Sequence, residues 1–288
     1  MAGFANLGEC VDAIDSGRST YYSFRKTPAV VTTASVWFDM SMSPGNPAPQ
    51  YYAAAPLLAT QLTQADGGLN HGGNVSPLSK FVHRFLALSA SATGLPMPIM
   101  LCDYLMYYPF CDTGTNDEQP MTNSVTLPRY ASGEGVQIMA VSVAPNSGLA
   151  QPTFTGNYRN SAGDAGRISR TMTMNTATAN GSILTSDTTG VTSVGPFVGL
   201  ADGDKGVRSI QSVTLPSVTE VGLFALVLVR PIMTFALLEQ TAPTEVEPIR
   251  TLGGPVRVYD GAYLNMIALP AGSLSGVGIF GELTTVWN

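Results

Sequence analysis

The sequence predicts a mainly β fold, an antiparallel β-sandwich or jelly-roll-like architecture with one or two short helices. Short runs of Val, Ile, Thr and aromatic residues recur along the 288 residues, and clusters of Gly, Pro, Asn and Asp separate them. Segments with helical periodicity are few and short. The longest apolar run, 221–238 (VGLFALVLVRPIMTFALL), is rich in strand-forming residues. Together these observations are typical of all-β sandwiches.

The apolar run 221–238 is long enough to be considered as a membrane span. Arg230 and Pro231 lie near its middle, where a charge is costly in a bilayer and a proline removes a helical hydrogen bond. We therefore predict two buried β-segments that meet at a bend marked by Pro231, and no membrane association. A buried Arg230 needs a carboxylate or carbonyl partner. Otherwise it marks an edge at which another subunit docks, so Arg230 is a candidate interface residue.

The chain is long enough for one large β domain or two smaller ones with a substantial core. No repeat of fixed period occurs, and no long linker divides the sequence. We therefore predict a single β-rich domain over residues 1–288. Its main body covers 76–288, and 1–75 is a candidate N-terminal arm or subdomain.

The first 75 residues are predicted to contain a short helix and two strands. Residues 4–16 form an amphipathic helix that ends at Gly17. Residues 21–24 and 30–38 have the composition of strands. Residues 53–64 have helical composition, but Pro56 restricts any helix to beginning at about that position.

The clearest helix signal covers residues 76–88. Ser76 is a good N-cap, and Pro77 suits the first helical position. Five apolar residues follow at helical spacing and predict one buried face. The opposite face carries three polar side chains, Lys80, His83 and Arg84. We interpret that face as solvated, with an anion site as the functional alternative.

Two hairpins are predicted in the C-terminal half. Residues 152–159 and 167–174 flank a loop rich in Gly, Asn and Asp, which supply the backbone conformations of a tight reversal. Residues 256–259 and 262–268 flank the turn dipeptide Asp260–Gly261. The Thr-rich stretch 171–195 is predicted to be a polar edge hairpin or an exposed flexible loop.

Residues 103–110 (DYLMYYPF) form a dense aromatic patch. Aromatic side chains bury large areas and dominate both cores and interfaces. We expect most of the patch to pack in the core and identify Tyr107 and Tyr108 as candidate interface residues.

The composition narrows the classes of partner. The net charge is −6, the sequence pI is about 4.8, and no run of basic residues occurs, so direct nucleic-acid binding is not expected. Charged residues are 12% of the chain, about half the usual ~25%. A surface of hydroxyls and amides is easily covered by neighbouring subunits, although a loop-rich β protein has the same composition. The start lacks signal-peptide character, and three cysteines are too few for a disulfide framework, so synthesis in a reducing cytosol is expected.

Catalytic and metal-binding patterns are weak in this sequence. With only His71 and His83, no triad of histidine ligands is available, and no nucleophile-elbow or phosphate-loop motif occurs. The loops 112–118 and 202–206 contain carboxylates, but their spacing matches no EF-hand, so a solvated loop and a tight turn are expected. Two carboxylates from distant positions in the sequence can still come together in the fold, so glycoside hydrolysis by such a pair stays an alternative. We predict no enzymatic activity, no cofactor and no metal.

Six sequence strings stand out in order along the chain: PLSKFVHRFLALS (77–89), LCDYLMYYPFCDTG (101–114), LPRYASGEGVQ (127–137), YRNSAGDAGR (158–167), GDKGVRSIQSV (203–213) and VRVYDGAYL (256–264). Together and in this order they resemble a group of tailed-bacteriophage virion structural proteins. The resemblance covers most of residues 76–268. It implies a non-enzymatic protein that works as a repeated unit of the particle, and none of the strings carries a transferable site residue.

The resemblance implies location in the virion after assembly in the host cytoplasm. A shell-forming protein of the common tailed-phage fold usually has a long charged helix, which this sequence lacks. We therefore favour a capsid decoration or cement protein that binds itself, as a trimer, and the major capsid protein. The alternatives are a major capsid protein and a tail or adaptor component. A further alternative is a carbohydrate-binding or depolymerising module that uses Tyr51–Tyr52, Tyr107–Tyr108 and the carboxylates of 112–118.

Overall fold

A computed structural model describes residues 3–144, 151–185, 195–216 and 221–288. Strands dominate it, and the two α-helices are short. The helices are α1 (Leu7–Asp15) and α2 (Pro248–Thr251). The strands are β1 (Ser19–Lys26), β2 (Phe38–Asp39), β3 (Gly45–Asn46), β4 (Thr60–Gln61), β5 (Lys80–Ser89), β6 (Met97–Asp112), β7 (Gln119–Pro120), β8 (Gln137–Ala144), β9 (Thr153–Asn160), β10 (Arg167–Ile168), β11 (Met172–Thr173), β12 (Val207–Thr214), β13 (Leu223–Leu237), β14 (Thr244–Val246), β15 (Val256–Val258), β16 (Tyr263–Ala268) and β17 (Ile279–Trp287).

The strands form three sheets. Sheet A has the order β14-β5-β17-β1-β3, and β15 also pairs with β5. Sheet B has the order β2-β16-β6-β13-β8, and β4 also pairs with β6. Sheet C has the order β10-β9-β12-β7, and β11 also pairs with β9. The ladders between these strands are antiparallel. The predicted fold class, a mainly β antiparallel sandwich-like protein with two short helices, is confirmed.

Sheet B is shared by the whole molecule. One end of its long strands β6 and β13 packs on sheet A, and the other end packs on sheet C. Its opposite face is covered by residues from the 42–62 segment and by Ile183. In a sheet that is buried on both faces, a strand has apolar residues at consecutive positions and not only at alternate ones. This explains why every residue of the 223–229 segment is apolar.

Strand β13 covers most of the longest apolar run, and its 224–229 part is fully buried. It is one continuous strand with register shifts, one of them between Pro231 and Met233, and not two separate segments. Its ladder with β8 ends at Val229, whereas its ladder with β6 continues to Leu237. Pro231 therefore lies where β13 has become an edge on one side, which is where a strand tolerates a residue without an N–H.

Helix α1 confirms the predicted N-terminal helix. The Asn6 side chain accepts a hydrogen bond from the Glu9 backbone N–H (3.0 Å), and Gly17 follows the helix with φ of +77°. The buried side chains Cys10 and Ala13 pack on β17. Since β1 lies between β17 and β3, the first 75 residues contribute to sheet A and belong to the same packed unit.

The predicted helix at 76–88 is wrong, because this segment contains strand β5. The ladder between β5 and β17 has a register shift opposite Thr284 and Thr285, which places a bulge near His83. The bulge lets Val82 and Phe85 both enter the core between sheets A and B. A strand with a bulge can thus bury residues at positions i and i+3, which is the spacing expected for one face of a helix.

Two further N-terminal predictions are wrong. Residues 30–38 are mostly irregular, with strand only at Phe38, and residues 53–64 contain strand β4 and no α-helix. Both segments are loops that cover the faces of sheet B, so tertiary packing and not local propensity sets their conformation.

The two hairpin predictions differ in outcome. The first is confirmed, because β10 and β11 fold back on β9 with Arg167 opposite Tyr158. The second is wrong, because β15 pairs with β5 in sheet A whereas β16 pairs with β6 in sheet B. The Asp260–Gly261 turn therefore passes the chain between sheets. The Thr-rich stretch 171–195 has strand at β11, and its residues 186–194 lie outside the described residues.

Candidate interaction surface

The candidate interface residues Tyr107 and Tyr108 lie in the core. Their exposed fractions are 4% and 0%. The Tyr107 ring packs on Tyr52 at 5.2 Å between centroids, and the Tyr108 hydroxyl donates to the Asn123 Oδ1 (2.8 Å). Because β6 is an inner strand of a sheet covered on both faces, neither side chain forms a docking surface of this chain. The carbohydrate-binding alternative therefore loses Tyr52, Tyr107 and Tyr108 as exposed contacts.

Arg230 is partly exposed and has a carbonyl partner. Its Nη1 donates to the Glu134 backbone oxygen (3.0 Å), and its guanidinium lies 5.7 Å from the Tyr130 ring centroid. Gly135 leaves room for this packing, because a Cβ there would overlap the guanidinium. Arg230 also begins the part of β13 that lacks the β8 ladder. Arg230 thus has the predicted carbonyl partner and lies beside an unpaired edge of β13, whereas its role as an interface residue stays a prediction.

Arg230 belongs to a cleft between sheets A and B that we call the Arg–Tyr cleft. Two tyrosine rings, Tyr130 and Tyr259, contact edge to face with centroids 4.7 Å apart. The Arg257 guanidinium lies 4.4 Å from the Tyr259 centroid, so an arginine flanks each end of the ring pair. The cleft has a volume of about 280 Å³ and is lined by Tyr130, Arg230, Pro231, Ile232, Val256, Arg257 and Tyr259.

The Arg–Tyr cleft carries positive charge in an acidic protein. Within the described part of the chain, neither Arg230 nor Arg257 forms an ion pair. The neighbouring carboxylate Asp103 is held by Arg129 through two bonds of 2.7 and 2.9 Å. Sequence reasoning identified Arg230 but missed Arg257 and the two tyrosines. The signal was the Arg-x-Tyr spacing of residues 257–259, which puts both side chains on the same side of an extended backbone.

A second surface is the outer face of sheet A. Three apolar side chains, Leu86, Leu88 and Phe280, are half-buried there, and Tyr21 is 59% exposed. Register aligns Leu88 with Phe280 on adjacent strands, and the Arg25 guanidinium stacks 5.3 Å from the Phe280 centroid. The face is therefore continuous over β1, β17 and β5.

The charges on this outer face are largely neutralised by each other. Arg84 pairs with Glu245 (3.0 Å) and with Glu282 (3.7 Å), and the Tyr21 hydroxyl donates to Glu282 (2.8 Å). A face whose charges already have partners is less costly to cover than one with free lysines.

A buried polar cluster joins the start of β5 to the β15–β16 turn. The Lys80 Nζ lies 3.1 Å from the His71 Nδ1, 2.6 Å from the Gly73 carbonyl oxygen and 3.7 Å from the Asp260 carboxylate. The His71 Nε2 lies 3.0 Å from the Ala262 carbonyl oxygen. Burial, and secondarily the Lys80 charge, lowers the pKa of His71 to about 4. The predicted solvated position of Lys80 is wrong, since its exposed fraction is 1%.

A second buried cluster surrounds Asp39. Its carboxylate accepts hydrogen bonds from the hydroxyls of Tyr52 and Tyr104 and from the Ser41 backbone N–H. Burial raises the pKa of Asp39 despite these donors. The nearby Lys26 ammonium donates to the carbonyl oxygens of Ser41, Ser43 and Pro47, and burial lowers its pKa to about 8. Both clusters are largely buried, and they fasten loops to the sheets.

The two candidate cation loops use their carboxylates within the protein. Asp112 accepts from the Gly114 N–H (2.7 Å), and Glu118 accepts from the Ser212 hydroxyl. Asp202 pairs with Arg170, and Asp204 is bound by Tyr158, Asn160 and Arg167 in the expected turn. In the described residues no group of three or more His, Cys, Asp or Glu side chains is arranged to hold a metal.

The three cysteines, Cys10, Cys102 and Cys111, are buried and unpaired. The Cys10 Sγ lies 3.8 Å from the His83 Nδ1, but burial raises the pKa of this thiol and so disfavours the reactive thiolate. Among the described helices none is long and apolar enough to cross a membrane.

Comparisons with known proteins give little similarity. No family model and no curated protein matches the chain. Two solved structures are similar at a low level, the infectious bursal disease virus VP2 subviral particle (10% identity) and infectious bursal disease virus Gx strain (9% identity). Each match covers 94% of this chain and 81% of the other, with a TM-score of 0.15. A TM-score of 0.15 is too low to indicate a shared fold or function.

Proposed function

We propose that this chain is a non-enzymatic structural subunit of a bacteriophage particle, a decoration or cement protein that stabilises the capsid shell through protein contacts. The proposal joins the resemblance of the six strings to the geometry of the outer face of sheet A. In this proposal the protein acts through contacts of its surface, and three copies form a trimer that binds the major capsid protein.

The single observation that supports this function best is the outer face of sheet A. It combines half-buried apolar side chains with charges that already pair with each other. Aromatic residues are enriched at interface cores, where lysine is depleted, and this face follows that composition. Because the strands are hydrogen-bonded to each other, the face is pre-organised, and little conformational entropy is lost when a shell protein covers it.

The test compares Tyr21→Ala with Ile168→Ala in a binding assay on shells assembled without this protein. Both side chains are more than half exposed, but Tyr21 lies on the outer face of sheet A and Ile168 lies on sheet C. We expect Tyr21→Ala to weaken co-sedimentation with shells by about tenfold, in the range of an interface hot spot. Ile168→Ala should bind like the wild type.

Equal binding by both variants contradicts the assignment of this face. Cryo-electron microscopy of the particle then decides the role. A chain bound outside a complete shell supports decoration, several hundred copies forming the continuous shell identify a major capsid protein, and absence from the particle rejects the proposal.

A further inference from the structure

We infer that the Arg–Tyr cleft binds the acidic 112–118 loop of a second copy of this chain. The inference rests on the proposed function, because it names one contact between repeated copies in the assembly. It gives a joint role to the Arg230 guanidinium and the Asp117 carboxylate, neither of which forms an ion pair within the described residues.

The cleft has the composition of a carboxylate receptor. Its two guanidinium groups flank a tyrosine pair, and in the described residues neither of them has a carboxylate partner. Arg257 is exposed, whereas Arg230 is oriented by its bond to the Glu134 carbonyl. Guanidinium groups bind carboxylates through paired N–H donors. Arginine and tyrosine are also the residues that most often dominate binding energy at interfaces.

No carboxylate lines the cleft within the described residues. Asp103, which pairs in register with Arg230, is bound by Arg129. Asp260, which follows Tyr259, accepts the backbone N–H groups of Val75 and Ser76. The cleft thus presents two arginines without carboxylate partners in the described part of a chain whose net charge is −6.

The 112–118 loop has the complementary chemistry. Asp117 and Glu118 are exposed neighbours, and in the part of the chain that the structure describes no hydrogen bond or ion pair engages the Asp117 carboxylate. The loop begins at the end of β6, where the ladder with β13 continues to Asp112 and the Gln119 side chain bonds the Asp112 backbone N–H and carbonyl groups. It therefore presents its carboxylates from a rigid base.

The loop cannot reach the cleft of its own chain. Arg230 pairs in register with Asp103, and Asp112 lies nine residues further along β6. At about 3.3 Å per residue, the two sites are about 30 Å apart. Contact is therefore possible only between copies. A contact between two different patches is heterologous, and it closes into a ring when the rotation between copies is a simple fraction of a turn, as in a trimer.

A peptide assay on the full folded chain tests the receptor directly. The probe is a fluorescein-labelled peptide of residues 112–119 (DTGTNDEQ), measured by anisotropy at low salt. The matched control peptide carries Asn, Asn and Gln in place of Asp112, Asp117 and Glu118. We expect binding of the acidic peptide, at least tenfold weaker binding by Arg257→Ala, and a similar loss for the amide peptide. Arg257→Lys should bind at an intermediate level, because it keeps the charge but not the forked donors.

The result that overturns the inference is no binding of the acidic peptide at millimolar concentration, or equal binding by Arg257→Ala or by the amide peptide. Since Arg257 is exposed and forms no ion pair in the described residues, a folding defect is not expected in this variant, and circular dichroism confirms that it is folded.

Charge-reversal variants of the full chain distinguish failure of this contact between copies from failure of the proposed decoration role. Arg257→Glu alone and Asp117→Lys alone should each weaken self-association, and the double variant should restore it. If both single variants assemble on shells like the wild type, this contact is wrong while the decoration role stands. If the wild type binds no shell but the peptide result holds, the decoration role fails and the contact between copies stands.

Discussion

The two ends of the central strand β13 have different environments although they are parts of one strand. From Phe224 to Val229 every side chain is buried, because sheet C covers one face and the 42–62 loops cover the other. From Met233 to Leu237 burial alternates, with Thr234 exposed. Consecutive apolar residues therefore indicate a strand whose sheet is covered on both faces, and alternating ones indicate a strand covered on one face.

The polar clusters beside the two ends of β13 also differ in their burial. Near sheet A, His71 and Lys80 are fully enclosed. On sheet C, Asp204 and Arg167 form an ion pair near the surface, with the Arg167 side chain 36% exposed. Substitutions and changes of pH should therefore alter the free energy of unfolding to different extents at the two ends.

The largest expected effect is in the doubly covered part of β13. Leu228→Ala should lower the free energy of unfolding by about 2–5 kcal/mol, because it removes buried methyl groups and leaves a cavity. Thr234→Ala, in the alternating part of the strand, should change it by less than about 0.5 kcal/mol. Urea unfolding followed by circular dichroism measures both. Similar losses at the two positions would refute the two-environment description.

An intermediate effect is expected from acid at the sheet A end. The pKa of His71 is about 4 in the folded chain against an ordinary 6.5, so the unfolded chain binds the proton first. Stability is then complete above pH 6.5 and is lost as the pH falls towards 4. Between pH 7 and 5 the loss should be about 2 kcal/mol.

The control for this prediction is the other histidine. The His71→Gln variant should lose most of the stability change between pH 7 and 5, whereas His83→Gln should keep it. An unchanged pH dependence in His71→Gln would show that the buried cluster does not control acid stability.

The smallest effect is expected at the sheet C end. Partial burial opposes ionisation of Asp204, but Arg167, Tyr158 and Asn160 outweigh it and lower the pKa of this carboxyl. Asp204→Asn should cost about 1 kcal/mol at pH 7, as expected for a charge-assisted hydrogen bond near the surface. The difference between variant and wild type should shrink as the pH falls below 3.8. Thermal unfolding at pH 7 and pH 3 checks this, and a constant difference would contradict it.

Several features were predictable because they depend on local chemistry. The Asn6 cap and Gly17 define helix α1, and the hairpin after β9 follows from its Gly- and Asn-rich loop. The burial of β13 followed from its composition. These elements need no knowledge of which sheet lies opposite.

Other features depend on tertiary partners and were not predictable. The β5 segment was mistaken for a helix because a bulge near His83 breaks its alternation. Tyr107 and Tyr108 were expected at a surface, but the 42–62 loops cover Tyr107 and sheet C covers Tyr108. Of the Arg–Tyr cleft, only Arg230 was anticipated, because the other side chains converge from three separate segments.

The burial of lysines has a practical consequence for mapping the assembly. Lys26 and Lys80 are enclosed by backbone carbonyls, and Lys205 alone of the three is exposed. Reagents that acylate lysine amines should therefore modify the folded chain at Lys205 and spare the other two. Cross-linking through lysines will under-report the neighbours of this protein, whereas carbodiimide coupling through its exposed carboxylates will sample them over most of its surface.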